Sequence, residues 1–220
     1  MLVKPKSIFE NKEVRIYITK ADKNFRAMGY KEHGLRHSRY VAKTAALLLH
    51  KLGYHGRELE LVRIAGYLHD IGCVVGDNKH DRSGGVIALR ILLKLGMDKL
   101  EAFRIAEAVG THEDARVVPP TPIAAAVVLC DKTDVHYSRL RKKVKSKFDQ
   151  HDRVNFASSK SKLEVQRKKM EIVLKLGIDN SKCSVIEYFG LFLPRIKHCQ
   201  RAAKRLGCRF SVFINSQRFL

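Results

Sequence analysis

The stretch Leu61-Val62-Arg63-Ile64-Ala65-Gly66-Tyr67-Leu68-His69-Asp70 decides how this chain is read. Leu61, Ile64, Ala65 and Leu68 fall on one stripe of a helix, and His69, four positions after Ala65, continues it. Asp70 lies about 100° further round the same turn. An imidazole and a carboxylate are rarely left in a core alone, because stripping water from an unpaired polar group costs on the order of several kcal/mol. Fitting partners stand elsewhere: His37 before the pair, and His80, His112 and Asp131 after it. Four imidazoles and two carboxylates make a donor set for one or two divalent metals.

Working outward, the apolar spacing predicts successive helices. A leading helix is expected over Glu13–Tyr30. Val41, Ala45, Leu48, Leu49 and Leu52 give a second, from His37 to a stop at Gly53. The third runs from Gly56 to Ile71 and ends at Gly72. After the polar loop Gly76–Asp81 come helices from Arg82 to Leu95 and from Asp98 to His112. Pro119-Pro120-Thr121-Pro122 breaks the chain, and Pro122 suits the first turn of the next helix. That helix opens with Ile123-Ala124-Ala125-Ala126-Val127-Val128-Leu129-Cys130, apolar all round and so buried. Its continuation is expected to carry Arg139 and Arg141 on the same axis as Asp131.

The pattern then changes. Arg141–Lys147 is basic. Leu163 and Val165, then Met170, Ile172, Leu174 and Leu176, alternate with period two and predict a β-hairpin turning at Arg167–Lys169. Ser184–Leu206 is helical, with a kink expected at Pro194. Phe210, Val212 and Ile214 predict a last strand. The fold class is therefore mainly α, a helical bundle over residues 1–156 with a small C-terminal α+β (β-β-α-β) appendage over residues 157–220.

Composition narrows the class further. At 220 residues, 45% hydrophobic and 30% charged, the chain is a globular one with a sizeable core. No apolar run approaches a membrane span, and Met1-Leu2-Val3-Lys4-Pro5-Lys6 lacks the core of a signal peptide, so no membrane partner is expected. The five cysteines form no C-x-x-C pair, which suits a reducing cytoplasm. The formal net charge is +21, and residues 131–220 hold 22 Lys and Arg against 8 Asp and Glu. Such a basic tail attracts phosphate-bearing partners, nucleic acid included, although a lysine-rich surface also arises with no partner at all.

Singly, each candidate has an ordinary explanation. A histidine on an apolar face is commonly a hydrogen-bonded core residue, and Asp131 could pair with Lys132. The ordered set argues otherwise. His112 lies three after Val109, and Asp131 four after Val127. A carboxylate there faces the core, where a metal would supply the opposite charge.

These residues carry a resemblance. His37, His69-Asp70 and Asp131 resemble the H…HD…D pattern of the HD superfamily of metal-dependent phosphohydrolases, over roughly residues 32–141. His80 and His112 resemble the two extra histidines of its binuclear members, among them the HD-GYP phosphodiesterases and the bacterial diadenosine tetraphosphate hydrolase branch. The whole chain also resembles uncharacterised bacterial HD-domain proteins of this length. The resemblance implies that His37, His69, Asp70 and Asp131 hold a first metal. His80 and His112 hold a second, with Asp70 bridging and His69-Asp70 as the catalytic pair. It implies an enzyme in which a metal-activated hydroxide attacks the phosphorus of a phosphate ester, a nucleotide or related small phosphate. The donor types admit Fe, Mn, Zn, Co or Ni, with iron slightly favoured.

One departure bears on the substrate. Where HD-GYP proteins have H-D-I-G-K, this chain reads His69-Asp70-Ile71-Gly72-Cys73, and no G-Y-P motif follows, which argues against cyclic di-GMP. Cys73 is read as a packed residue. Lys79, Arg82, Lys132, Arg139 and Arg141 are the substitutes expected to meet substrate phosphate. Glu113, Asp134 and His136 are candidates for proton transfer. Two other readings remain open: a di-iron oxygenase of the same superfamily, and a nucleic-acid-binding protein with a structural metal site. A homodimer is compatible with either.

Overall fold

In the computed structural model, which describes residues 2–142, 144 and 148–220, helices dominate and a small sheet stands at the C-terminal end. The helices are α1 (Pro5–Glu10), α2 (Lys12–Ala27), α3 (Leu35–Leu52), α4 (Arg57–Leu68), α5 (His80–Lys94), α6 (Lys99–Gly110), α7 (Pro122–Lys132), α8 (Gln150–Ala157) and α9 (Val185–Arg205). The strands are β1 (Ser158–Gln166), β2 (Glu171–Ile178), β3 (Arg209–Ile214) and β4 (Gln217–Arg218), in the order β1-β2-β3-β4. The expected hairpin is there: β1 and β2 pair antiparallel, with Leu163 opposite Leu174 and Val165 opposite Ile172. β3 joins β2 in parallel, with α9 as the crossover, and β4 adds a short antiparallel edge.

Several boundaries differ from those read in the sequence, each for a local reason. The leading helix expected over Glu13–Tyr30 is α2, which ends at Ala27. The short α1 before it was not in the sequence reading, and the Asn11 side chain accepts a hydrogen bond from the Val14 amide at 3.0 Å and starts α2 afresh. α4 ends at Leu68, and Ile71–Val74 form a 3₁₀ turn. α5 begins two residues earlier than expected, with His80 as its first residue. α7 stops at Lys132. The Thr133 hydroxyl turns back to the Leu129 carbonyl at 2.5 Å, and Tyr137–Arg139 form a separate 3₁₀ turn. Arg139 and Arg141 are therefore not on the helix of Asp131. α8, absent from the sequence reading, starts at a reciprocal cap in which the Asp149 and Asp152 side chains each accept the other's backbone N–H. α9 runs through Pro194 as one helix. The basic stretch Arg141–Lys147 falls largely outside the described residues.

α7 is the axis of the fold. Residues Ile123–Cys130 are all buried, as an apolar run without a polar face must be. α3, α4 and α6 pack around it on one side and α9 on the other. Apolar residues of bundle and appendage merge into one cluster, from Ile8 through Val127 to Phe192 and Val212. Two glycines let the site-bearing elements approach. A Cβ on Gly66 would lie 2.9 Å from the Ala42 Cα, so glycine there seats α4 on α3. A Cβ on Gly72 would collide with the His80 carbonyl and lie 2.4 Å from the Gly84 amide nitrogen, so glycine there seats the 3₁₀ turn on α5. Among the described residues, no helix is long and apolar enough to cross a membrane.

Candidate metal centre

Six side chains converge where these elements end. His37 comes from the first turn of α3, His69 and Asp70 from the end of α4, and His80 from the start of α5. His112 lies just past α6, and Asp131 in the last turn of α7. All four imidazoles and Asp70 are buried, and Asp131 is nearly so. Helix ends suit this role, since side chains there can point along the bundle axis into a shared space.

The hydrogen bonds on the far side of each ring fix its orientation. His69 Nδ1 lies 2.9 Å from the Gly66 carbonyl, His80 Nδ1 2.9 Å from that of Asp77, and His112 Nδ1 2.7 Å from that of Val109. A carbonyl only accepts, so each Nδ1 carries the proton and donates. His37 Nδ1 donates to Asp134 Oδ2 at 2.7 Å, and Arg36 and Arg139 hold that carboxylate ionised against the opposing effect of its burial. Each neutral ring then presents an Nε2 lone pair to the centre, the arrangement a metal-ligating histidine requires.

The Nε2 atoms fall into two pairs. Those of His37 and His69 are 3.2 Å apart, and those of His80 and His112 are 3.3 Å apart. Asp70 stands between the pairs. Its Oδ2 lies 3.2 Å from His69 Nε2 and 3.6 Å from His37 Nε2, while its Oδ1 is 3.6 Å from both His80 and His112. Asp131 Oδ1 joins the first pair, 3.2 Å from His37 and 3.6 Å from His69.

Lone pairs facing one another at these distances repel unless a cation sits among them. Asp70 Oδ2 is buried and receives no hydrogen bond among the described residues despite its closeness to His69. Burial pushes the His69 pKa down, but the carboxylates of Asp70 and Asp131 more than offset this and raise it to about 10, so their negative charge dominates the centre. The nitrogen and oxygen donors present therefore fit divalent metal. Subsets of them, such as His37 with His69 and Asp70, or His69 with His112 and Asp131, bring one donor atom each within 4.8 Å of one another. Cys73 and Glu113 stand at the edge of the second half. Burial pushes the Cys73 thiol well up, so it stays protonated and packs as a neutral side chain.

A pocket of about 300 Å³ opens onto Asp70, His80 and Asp131. Of the five cations singled out in the sequence, Lys132 and Arg139 line it. Lys132 Nζ donates to Asp131 Oδ2 at 2.6 Å and to Glu113. Arg139 donates to the Glu32 carbonyl at 2.8 Å and to that of Asp134 at 3.2 Å. Lys79 is exposed beside His80 as the left-handed residue before α5, and Arg82 extends toward Asp114 at 4.0 Å. Arg141 is bound to Asp22. Of the proton-transfer candidates, Glu113 lines the pocket, Asp134 stands behind His37, and His136 bonds Ser138 at 2.9 Å. Lys31, His33, His151 and Arg195 also line the pocket, and the sequence reading did not include them. His33 was within reach of it, lying four residues before His37 in the loop that leads into α3; nothing local marks Arg195.

The HD domain family model matches residues 34–136. None of the curated proteins matches the chain in sequence. Among solved structures, the chain is similar to one described as a predicted HD superfamily hydrolase from an uncultured Thermotogales bacterium. The identity is 20%, the match covers 57% of this chain and 68% of that one, and the TM-score is 0.46. All six converging side chains lie within the residues that match the HD domain model.

Proposed function

We propose that this chain is a metal-dependent phosphohydrolase acting on a phosphate ester, a nucleotide or related small phosphate. The observation that carries the reading is the convergence of four Nε2 lone pairs on Asp70 and Asp131 at the floor of a cation-lined pocket. His37, His69, Asp70 and Asp131 would hold one divalent ion, and His80, His112 and Asp70 a second, iron among the candidates. Divalent metal supplies Lewis acidity toward a phosphoryl oxygen and acidifies water at neutral pH.

The chain's own residues do the rest. Asp134 and the three backbone carbonyls keep each imidazole in the Nδ1–H form with Nε2 turned inward. Lys132 neutralises the outer oxygen of Asp131 and leaves the inner one to the centre. Burial pushes the Glu113 carboxyl up, but the Lys132 ammonium more than offsets this and holds it below the usual range. Ionised and at the pocket, Glu113 can accept a proton from water entering there.

The test is elemental analysis of the purified chain, followed by a panel of phosphomonoesters, phosphodiesters and nucleotides with Fe, Mn, Co, Ni or Zn supplied. Metal bound in stoichiometric amount and phosphate release abolished by chelation are expected. Failure to hydrolyse any member with any metal would overturn the reading, as would oxygen consumption in place of hydrolysis.

A further inference from the structure

The pocket's charges are not equally engaged. Lys132 is tied to Asp131 and Glu113, and Arg139 to two backbone carbonyls and, at 3.7 Å, to Asp134. Asp149 and Asp152, also on the wall, are both bound by Lys142, at 2.9 and 2.6 Å. Two half-buried cations that also line the pocket stand apart from this pairing. Among the described residues, neither Lys31 nor Arg195 forms an ion pair. Lys31 lies in the loop between α2 and α3, and Arg195 lies on α9 in the C-terminal appendage. The Arg195 guanidinium lies over the Phe192 ring, 5.0 Å from its centroid, which steadies the group while its N–H edge meets no acceptor among the described residues.

We propose that Lys31 and Arg195 form a second anion subsite in this pocket, one that holds a phosphate group of the substrate other than the phosphate being hydrolysed. The proposal deepens the phosphohydrolase reading and rests on it for the first phosphate. Lys31, Arg195, Asp70 and Asp131 all line this one pocket, so a single small molecule can meet both the cations and the metal-binding carboxylates. The guanidinium fork matches phosphate oxygens bidentately, and the lysine adds a point charge. Burial and the neighbouring Arg139 and Arg195 hold the Lys31 amine well below its ordinary range, a cost that an arriving dianion removes. The substrate class is a small phosphoanhydride or bisphosphate, and the appendage helps select it.

Inorganic pyrophosphate and inorganic phosphate are the probes, titrated calorimetrically into the metal-loaded full chain. The variants are Lys31→Ala, Arg195→Ala and Arg195→Lys, with Lys197→Ala, exposed on the same helix, as the charge-matched control. Losing a charge-assisted contact should weaken pyrophosphate binding about tenfold or more in Lys31→Ala and Arg195→Ala, with Arg195→Lys between. Inorganic phosphate and the Lys197→Ala control should shift by less than about threefold. The subsite is overturned if Arg195→Ala binds pyrophosphate as tightly as the unaltered chain. Equal loss in Lys197→Ala, or equal loss for inorganic phosphate, overturns it too. Steady-state kinetics on the ester panel separate the two claims. Hydrolysis with KM unchanged in Arg195→Ala sinks the subsite alone. No hydrolysis, with pyrophosphate binding still dependent on Arg195, sinks the phosphohydrolase reading and leaves the anion subsite standing.

Discussion

At the scale of single residues, the centre depends on side chains one step behind it. Asp134 orients His37 through a 2.7 Å hydrogen bond, and Arg36 and Arg139 hold it in turn. Asp134→Ala should leave the ring free to rotate and lower metal affinity about 10- to 100-fold, as measured by competition with a chelating dye. His198 supports a second prediction. It is buried on α9 with Nε2 unpartnered among the described residues. Burial, with the nearby Lys132 charge, pushes its pKa down from 6.5 to about 4. A histidine harder to protonate when folded binds more protons when unfolded. Its contribution is therefore present above about pH 6.5 and lost as pH falls toward 4. Relative to His198→Gln, the unaltered chain should lose on the order of 2–3 kcal/mol between pH 7 and pH 4, read from urea midpoints. The six converging residues were legible in the sequence, because an imidazole or carboxylate at the end of an apolar stripe has few reasons to be there. Lys31 and Arg195 were not, because exposed-looking cations acquire a shared wall only through contacts far apart in the chain.

At the scale of elements, the helices were legible wherever an apolar stripe ended at a glycine or proline, as at Gly53 and Pro122. Their junctions were not. The 3₁₀ turn after Asp70 and the early start of α5 are set by tertiary approach, which leaves no periodicity, and α8 is too short to show a stripe. Gly72 is the residue that permits this approach. Gly72→Ala should force the turn off α5, move His80 away from Asp70, and cost about 1–3 kcal/mol in urea unfolding. Metal content should fall in parallel, down to a single equivalent if the first group of ligands survives. A variant as stable and as metal-rich as the unaltered chain would contradict the packing described for this turn.

At the scale of the whole molecule, the merged core implies that bundle and appendage unfold together. Calorimetry should give one transition, with van't Hoff and calorimetric enthalpies equal. Removing residues 157–220 should bare the α9-facing side of α7 and yield aggregated protein. Two separate transitions, or a soluble and metal-binding fragment 1–156, would show that the parts fold alone. The burial of α7 on every side also sets an order of events during synthesis. Asp131 is carried by a helix whose packing is incomplete until α9 has emerged, some 60 residues later. A chain still on the ribosome therefore holds an unfinished site, its six converging side chains not yet held together until its last helix is made.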